Sequence, residues 1–201
     1  LSTHQKKEHF EYKDSIKYLW NYWSEDGQHL IENGNGILKS HYSELRINEQ
    51  TTYVNGLMTG AYEKYNPAGK PRVIGTHLNG KKTGKWKFYF VDGGALDREA
   101  YFKNDLLHGE YKAYFKSGIV LREGEWKMGK KVGHWIWRDK TGQKDMEGDF
   151  DQDIQEGKWT YYYPNGNVHY TGLFAKGLKT GTWNYFYKVI YQGNNIASYL
   201  R

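Results

Sequence analysis

The sequence predicts an all-β protein, an antiparallel meander of stacked β-hairpins with a period of about 24 residues. Three observations carry this. A glycine recurs at Gly60, Gly84, Gly109, Gly133, Gly157 and Gly181, each followed two residues later by a ring, at Tyr62, Trp86, Tyr111, Trp135, Trp159 and Trp183. Rings then continue at every second position, as in Trp159, Tyr161 and Tyr163, the spacing that places side chains on one face of a strand. Turn-forming residues close each run in the same phase, at Asn66-Pro67-Ala68-Gly69, Asp92-Gly93-Gly94, Lys116-Ser117-Gly118, Asp139-Lys140-Thr141-Gly142 and Pro164-Asn165-Gly166. A second series, Thr51, Gly75, Ala100, Gly124, Gly148 and Gly172, leads to Tyr53, His77, Phe102, Trp126, Phe150 and Phe174. The connections are too short for parallel crossovers, so each unit pairs with its neighbours.

Residues 1–17 are polar and mixed in charge and read as a flexible N-terminal arm or an edge strand. Residues 18–50 read as degenerate capping repeats: Tyr18 to Gly27 resembles a strand and turn, but its distance to Gly36 breaks the period. Residues 51–187 form the repeat array. In each unit a strand follows the recurring glycine, a turn reverses the chain, and a return strand such as His169 to Phe174 leads back. Glycines are expected at the bends, with Lys176 to Gly181 as the turn into the next unit. Residues 188–201 read as a closing strand on Val189, Ile190 and Tyr191 followed by a tail. Atypical ends fit an array that must cap its open edges.

Only 38% of residues are hydrophobic while 17% are aromatic, so most of the apolar surface belongs to amphipathic rings that bury faces and leave polar tips wet. That aromatic content excludes a disordered chain. The absence of cysteine excludes disulfide frameworks, thiolate zinc sites and cysteine nucleophiles. No apolar run approaches the ~18 residues of a membrane span, and a soluble protein is expected. The chain begins at Leu1, and export or a periplasmic location is slightly favoured over the cytoplasm.

The stretch from Tyr170 to Trp183, with the skeleton Y-x-G-x-F-x-x-G-x-x-x-G-x-W, and the stretch from Glu123 to Trp135 resemble MORN repeats (membrane occupation and recognition nexus), and more closely the bacterial variant of that repeat. The resemblance covers about residues 51–187 and, loosely, 18–50. It implies an elongated, twisted single sheet of stacked hairpins acting as a scaffold or binding module. In one bacterial branch it implies the antitoxin half of toxin and antitoxin pairs.

No catalytic constellation is expected. The eight histidines are dispersed, without a HExxH pair, and His77 stands where the repeat places an aromatic, as a packed imidazole would. Asp149, Asp151 and Asp153 form D-x-D-x-D, but Ile154 and Tyr161 occupy the places where a calcium loop needs glycine and glutamate, so no metal is expected there. Gly34-Asn35-Gly36 lacks the third glycine and the strand-to-helix setting of a phosphate loop. No cofactor is implied.

Two features point to binding. Lys81, Lys82, Lys130, Lys131 and Lys179 hold equivalent turn positions, so a basic edge facing anionic lipid headgroups is one expectation and ordinary solvated turns the other. Trp86, Phe88 and Phe90 share a face, as do Trp135 and Trp137, the set Trp159, Tyr161 and Tyr163, and the set Trp183, Tyr185 and Tyr187, while Tyr89, Tyr114, Tyr162 and Phe186 point the other way. One sheet covers both sets poorly, so some rings are expected as an exposed ledge for a partner. Arg138 interrupts the second set and is expected to stack between Tyr114 and Tyr162, or to capture a ligand. An unknown protein partner is the leading expectation and anionic lipid the alternative. Nucleic acid is disfavoured because acidic residues are intermixed with the excess of basic ones that gives a net charge of +6.

Overall fold

A computed structural model describes residues 7–187. Its strands, among the described residues, are β1 (Glu8–Lys13), β2 (Ile16–Trp23), β3 (His29–Glu32), β4 (Asn35–Ser43), β5 (Arg46–Val54), β6 (Leu57–Tyr65), β7 (Pro71–Leu78), β8 (Lys81–Tyr89), β9 (Leu96–Lys103), β10 (Leu106–Tyr114), β11 (Val120–Lys127), β12 (Lys130–Arg138), β13 (Lys144–Asp151), β14 (Ile154–Tyr162), β15 (Val168–Ala175) and β16 (Leu178–Tyr185). They form one open antiparallel meander in which spatial order equals chain order. At the usual spacing of ~4.8 Å, its two edges lie on the order of 70 Å apart measured from strand to strand. The expected closing strand at 188–201 lies outside the described residues.

One edge of the sheet carries two-residue turns from β1–β2 through β15–β16. Both central residues have positive φ in every case, including Asn55 (49°) with Gly56 (80°) and Gln152 (51°) with Asp153 (73°). That is the condition for the turn type that follows strand twist in hairpins. These turns also bind one another. The amide of Gly80 donates to the Met58 carbonyl at 2.7 Å, Gly129 to Leu107 at 2.8 Å, and Gly177 to Gln155 at 3.0 Å, so each turn is locked to the unit before it. Longer loops reverse the chain at the other edge. Asn66 and Asp139 head two of them, each accepting two backbone amides through its Oδ1.

The bends are not where the recurring glycines stand. The turn after β15 is only Lys176-Gly177, and Gly181 lies inside β16 with φ 61°. Opposite it the register jumps, from Thr171 facing Asn184 to Leu173 facing Thr180. The same jump occurs near Gly60, Gly84, Gly109, Gly133 and Gly157. These glycines form bulges within strands, and each bulge re-aims the chain so that the next ring lies flat on the sheet.

What the ring lies on is the second glycine series. A Cβ built at Gly75, Gly124, Gly148 or Gly172 would come within 2.2–2.3 Å of Cδ2 of Trp86, Trp135, Trp159 or Trp183 respectively. Where the partner ring is the smaller Tyr62 or Tyr111, the position beneath it holds Thr51 or Ala100. The flat packing explains how Trp86, Trp135 and Trp159 reach 1% exposure in a single layer. The backbone covers one indole face, and rings of the same sheet face crowd its edges. His77 belongs to this packing, edge-on to Tyr62 and Trp86 at 5.3 and 5.0 Å. Burial, with the Lys82 charge beside it, pushes its imidazole pKa down.

Candidate binding surface

The ring face is ordered in rows that cross the strands. The middle row is the Trp and Gly packing just described, so Trp86, Trp135 and Trp159 are core and have no ring face open to a ligand. On the side of the longer loops runs a third row in which each residue faces the next across the sheet: Val73, Phe88, Arg98, Ala113, Arg122, Trp137, Met146, Tyr161, Tyr170 and Tyr185. The Arg98 guanidinium sits 4.3 Å from the centre of the Phe88 ring. Tyr161 stacks on Tyr170 at 4.3 Å, and Tyr170 on Tyr185 at 5.3 Å. Phe88, Trp137, Met146 and Tyr161 are half-buried, while Arg122 and Tyr185 are exposed.

The predicted residues therefore divide. Phe88, Trp137 and Tyr161 belong to the third row. Trp183 is half-buried beneath the Lys179 ammonium, 4.2 Å from its ring. Phe90 and Tyr163 open long loops by accepting the amides of Gly93 and Gly166, and the Tyr163 hydroxyl donates to the Phe186 carbonyl at 2.8 Å. Tyr185, Phe186 and Tyr187 supply the exposed aromatic ledge, at the C-terminal end.

The lysine row is not a single edge. Its pairs fall on alternate hairpins, β8 and β12, with Lys179 on β16, so neighbours are four strands or ~19 Å apart. The row also splits by face. Lys82, Lys131 and Lys179 lie on the ring face, over Trp86 at 4.9 Å, Phe150 at 4.9 Å and Trp183 at 4.2 Å. Lys81 and Lys130 alternate to the other side and are exposed. In the intervening hairpins the equivalent strand positions hold Leu106 with Leu107 and Ile154 with Gln155, and the turn residues just before them, Asp105 and Asp153, accept the backbone amides of Lys82 and Lys131 through their carboxylates at 2.8 and 2.9 Å.

The opposite face is a polar lattice built on Glu99, Glu123 and Glu147. Each accepts from a donor fifteen residues on: Tyr114 to Glu99 at 3.2 Å, Arg138 to Glu123 at 2.7 Å, and the Tyr162 hydroxyl to Glu147. Arg138 thus does what tyrosine does in neighbouring units. Its guanidinium pairs with a carboxylate that Lys112 also reaches, in place of the expected stacking between Tyr114 and Tyr162. Burial alone would raise the Glu147 pKa, but hydrogen bonds from Lys144, Tyr162 and His134 outweigh it and hold the carboxyl down at about 2. The His134 imidazole bridges Asp149 at 2.8 Å and Glu147 at 3.3 Å. Against the opposing effect of burial, those two carboxylates raise its pKa. The aspartate run is divided among these tasks: Asp149 holds His134 and Asp153 caps a turn. No grouping of His, Asp and Glu fit to hold a metal occurs among the described residues.

Arg98, Arg122 and Met146 carry no signature of the repeat because they lie on return strands, away from the recurring glycines. Their signal was available as parity. Counting by twos from Gly75, Ala100, Gly124 and Gly148 places Arg98, Arg122 and Met146 on the ring face.

Comparison with curated proteins returned no match. The family model described as MORN repeat variant matches residues 107–128 and 155–176, each running from the second residue of an even-numbered strand, through the bulge, long loop and return strand, to the first residue of the next tight turn. Repeats of this kind are commonly protein-binding or membrane-binding motifs. The matched segments, and the sheet of hairpins that repeats their geometry, identify this chain as a MORN-repeat protein.

Proposed function

We propose that the protein is a non-catalytic repeat scaffold that mediates protein–protein interaction through its ring face. The observation that carries this is the third row: Phe88, Trp137, Met146, Tyr161 and Tyr185 with two interspersed arginines form a continuous, half-open surface across β8–β16. Aromatic rings, methionine and arginine are the residues enriched at the centres of protein interfaces. Peripheral binding to anionic membrane loses its main support with the division of the lysine row. An antitoxin-like role is a narrower form of the same scaffold reading. A net charge of +6 argues there against mimicry of a nuclease substrate.

The test is affinity capture from the native source with the wild-type chain and with a Trp137→Ala/Tyr161→Ala variant, alongside Lys158→Ala on the opposite face. A protein held by the wild type and by Lys158→Ala, but lost with the ring variant, is the expected result. Capture insensitive to the ring variant, or recovery of lipid alone, would sink the reading.

A further inference from the structure

The two faces of the sheet differ in charge, and we infer that the third row receives an acidic, extended segment of a partner protein. This deepens the scaffold reading and rests on it. Strand alternation sorts the charges. On the ring face Lys82, Arg98, Arg122, Lys131 and Lys179 hold their cationic heads over rings. Arg98 contacts the carboxylate of its own chain neighbour, Asp97. Among the described residues Lys82, Arg122, Lys131 and Lys179 have no carboxylate within 4.0 Å. Glu49, at the N-terminal end of that face, is matched by Lys64 at 3.6 Å. The carboxylates of Glu99, Glu123 and Glu147 are on the other side, held by Lys85, Arg138 and Lys144 at 3.0, 2.7 and 2.7 Å. Net positive charge is therefore concentrated on the face that also carries the apolar anchors.

A cation fixed over a ring keeps its charge while losing part of its water, so a carboxylate arriving there forms a strong, oriented contact. The row crosses the strands at one residue per strand, which suits an extended chain. Arg98 and Arg122 are two strands apart, ~10 Å, a distance that about three extended residues span. Two acidic residues three apart for Arg98 and Arg122, followed by apolar residues for Trp137 and Met146 beyond Arg122, are the pattern that fits. Single-stranded nucleic acid fits less well. Base stacking needs open ring faces, and here Tyr161, Tyr170 and Tyr185 cover one another while Arg98 covers Phe88.

The full chain is titrated against a labelled synthetic peptide with Glu at every third position and Leu or Tyr between. A peptide with Lys in place of Glu, an oligodeoxythymidine and phosphatidylserine vesicles serve as comparisons. The acidic peptide is expected to bind, and to weaken at least ~10-fold both in Arg98→Glu/Arg122→Glu and when salt rises from about 0.05 to about 0.3 M. Lys103→Glu/Lys158→Glu makes the same change in net charge on the other face and should stay within ~2-fold of wild type. Circular dichroism checks that each variant keeps its sheet, and Arg98→Gln/Arg122→Gln replaces the reversal if it does not. Absence of peptide binding, equal weakening by both charge variants, or tighter binding of the oligonucleotide or vesicles would overturn the inference. If partner capture still depends on Trp137 and Tyr161, such a result removes the acidic chemistry and leaves the scaffold reading standing.

Discussion

Gly148→Ala tests the flat packing of tryptophan on glycine. The new methyl group would lie 2.2 Å from Cδ2 of Trp159, 2.4 Å from Cε2 and 2.5 Å from Cγ, under the centre of the indole. Ordinary contact begins near 3.4 Å, so the ring must lift by about 1.2 Å. It has little room to do so. Trp137, Phe150 and Phe174 surround it at 5.9, 5.2 and 5.8 Å, and its Nε1 donates to the Asp149 carbonyl at 3.2 Å. Overpacking of a dense site costs ~1–3 kcal/mol, and loosening the indole hydrogen bond adds about 1 kcal/mol, so a loss of ~2–4 kcal/mol is expected. Urea unfolding followed by tryptophan fluorescence measures it, with Trp159→Tyr and the double variant completing a cycle. The double variant reproduces the natural pair Ala100 and Tyr111 and should be more stable than Gly148→Ala alone, with a coupling of at least ~1 kcal/mol. If Gly148→Ala stays within about 0.5 kcal/mol of wild type, or the two changes simply add, the size-matching argument is refuted.

Arg138→Tyr should be nearly neutral because the hydroxyl can reach Glu123 as Tyr114 and Tyr162 reach their glutamates, whereas Arg138→Met removes the ion pair and should cost about 1 kcal/mol; thermal melts that rank them the other way contradict the shared role. For pH, the His134 pKa is raised in the fold, so its bridge to Asp149 and Glu147 stabilises fully below the unfolded value near 6.5 and is lost as pH rises through the folded value. Glu147, held at about 2, contributes above its unfolded value near 4.5 and loses that contribution only as pH falls toward 2. Wild-type urea midpoints should therefore decline between about pH 6 and 8 by an amount worth less than ~1 kcal/mol, since His134 is half exposed, and His134→Gln should flatten that decline. At the tight turns, Asp153→Gly should remain within about 0.5 kcal/mol of wild type, trading a carboxylate cap for backbone ease, while Asp153→Ala keeps the 73° φ without the cap and should cost ~1–2 kcal/mol by the same melts.

The all-β meander was legible because each unit states it locally. Rings alternate at Trp159, Tyr161 and Tyr163, Asn66 and Asp139 head loops, and the spacing repeats too closely to admit another pairing. The recurring glycines were legible as positions but not as roles. A residue with positive φ serves a turn or a bulge equally well, and only the register across β15 and β16 shows that Gly181 is the latter.

The candidate surface was half visible. Phe88, Trp137 and Tyr161 followed from alternation, but so did Trp86, Trp135 and Trp159, and nothing in the alternation itself says that the latter lie flat on Gly75, Gly124 and Gly148 and are buried. That follows from contact between neighbouring strands, across eleven residues of chain for Trp159 on Gly148 and fifteen for Arg138 with Glu123. Sequence by itself determined which residues share a face, because strand geometry sends alternate side chains to opposite sides whatever their neighbours are. Which members of that face are core, which lysines sit over rings, and where acidic and basic residues separate was decided by the tertiary structure, because those properties belong to the packing of one strand against the next.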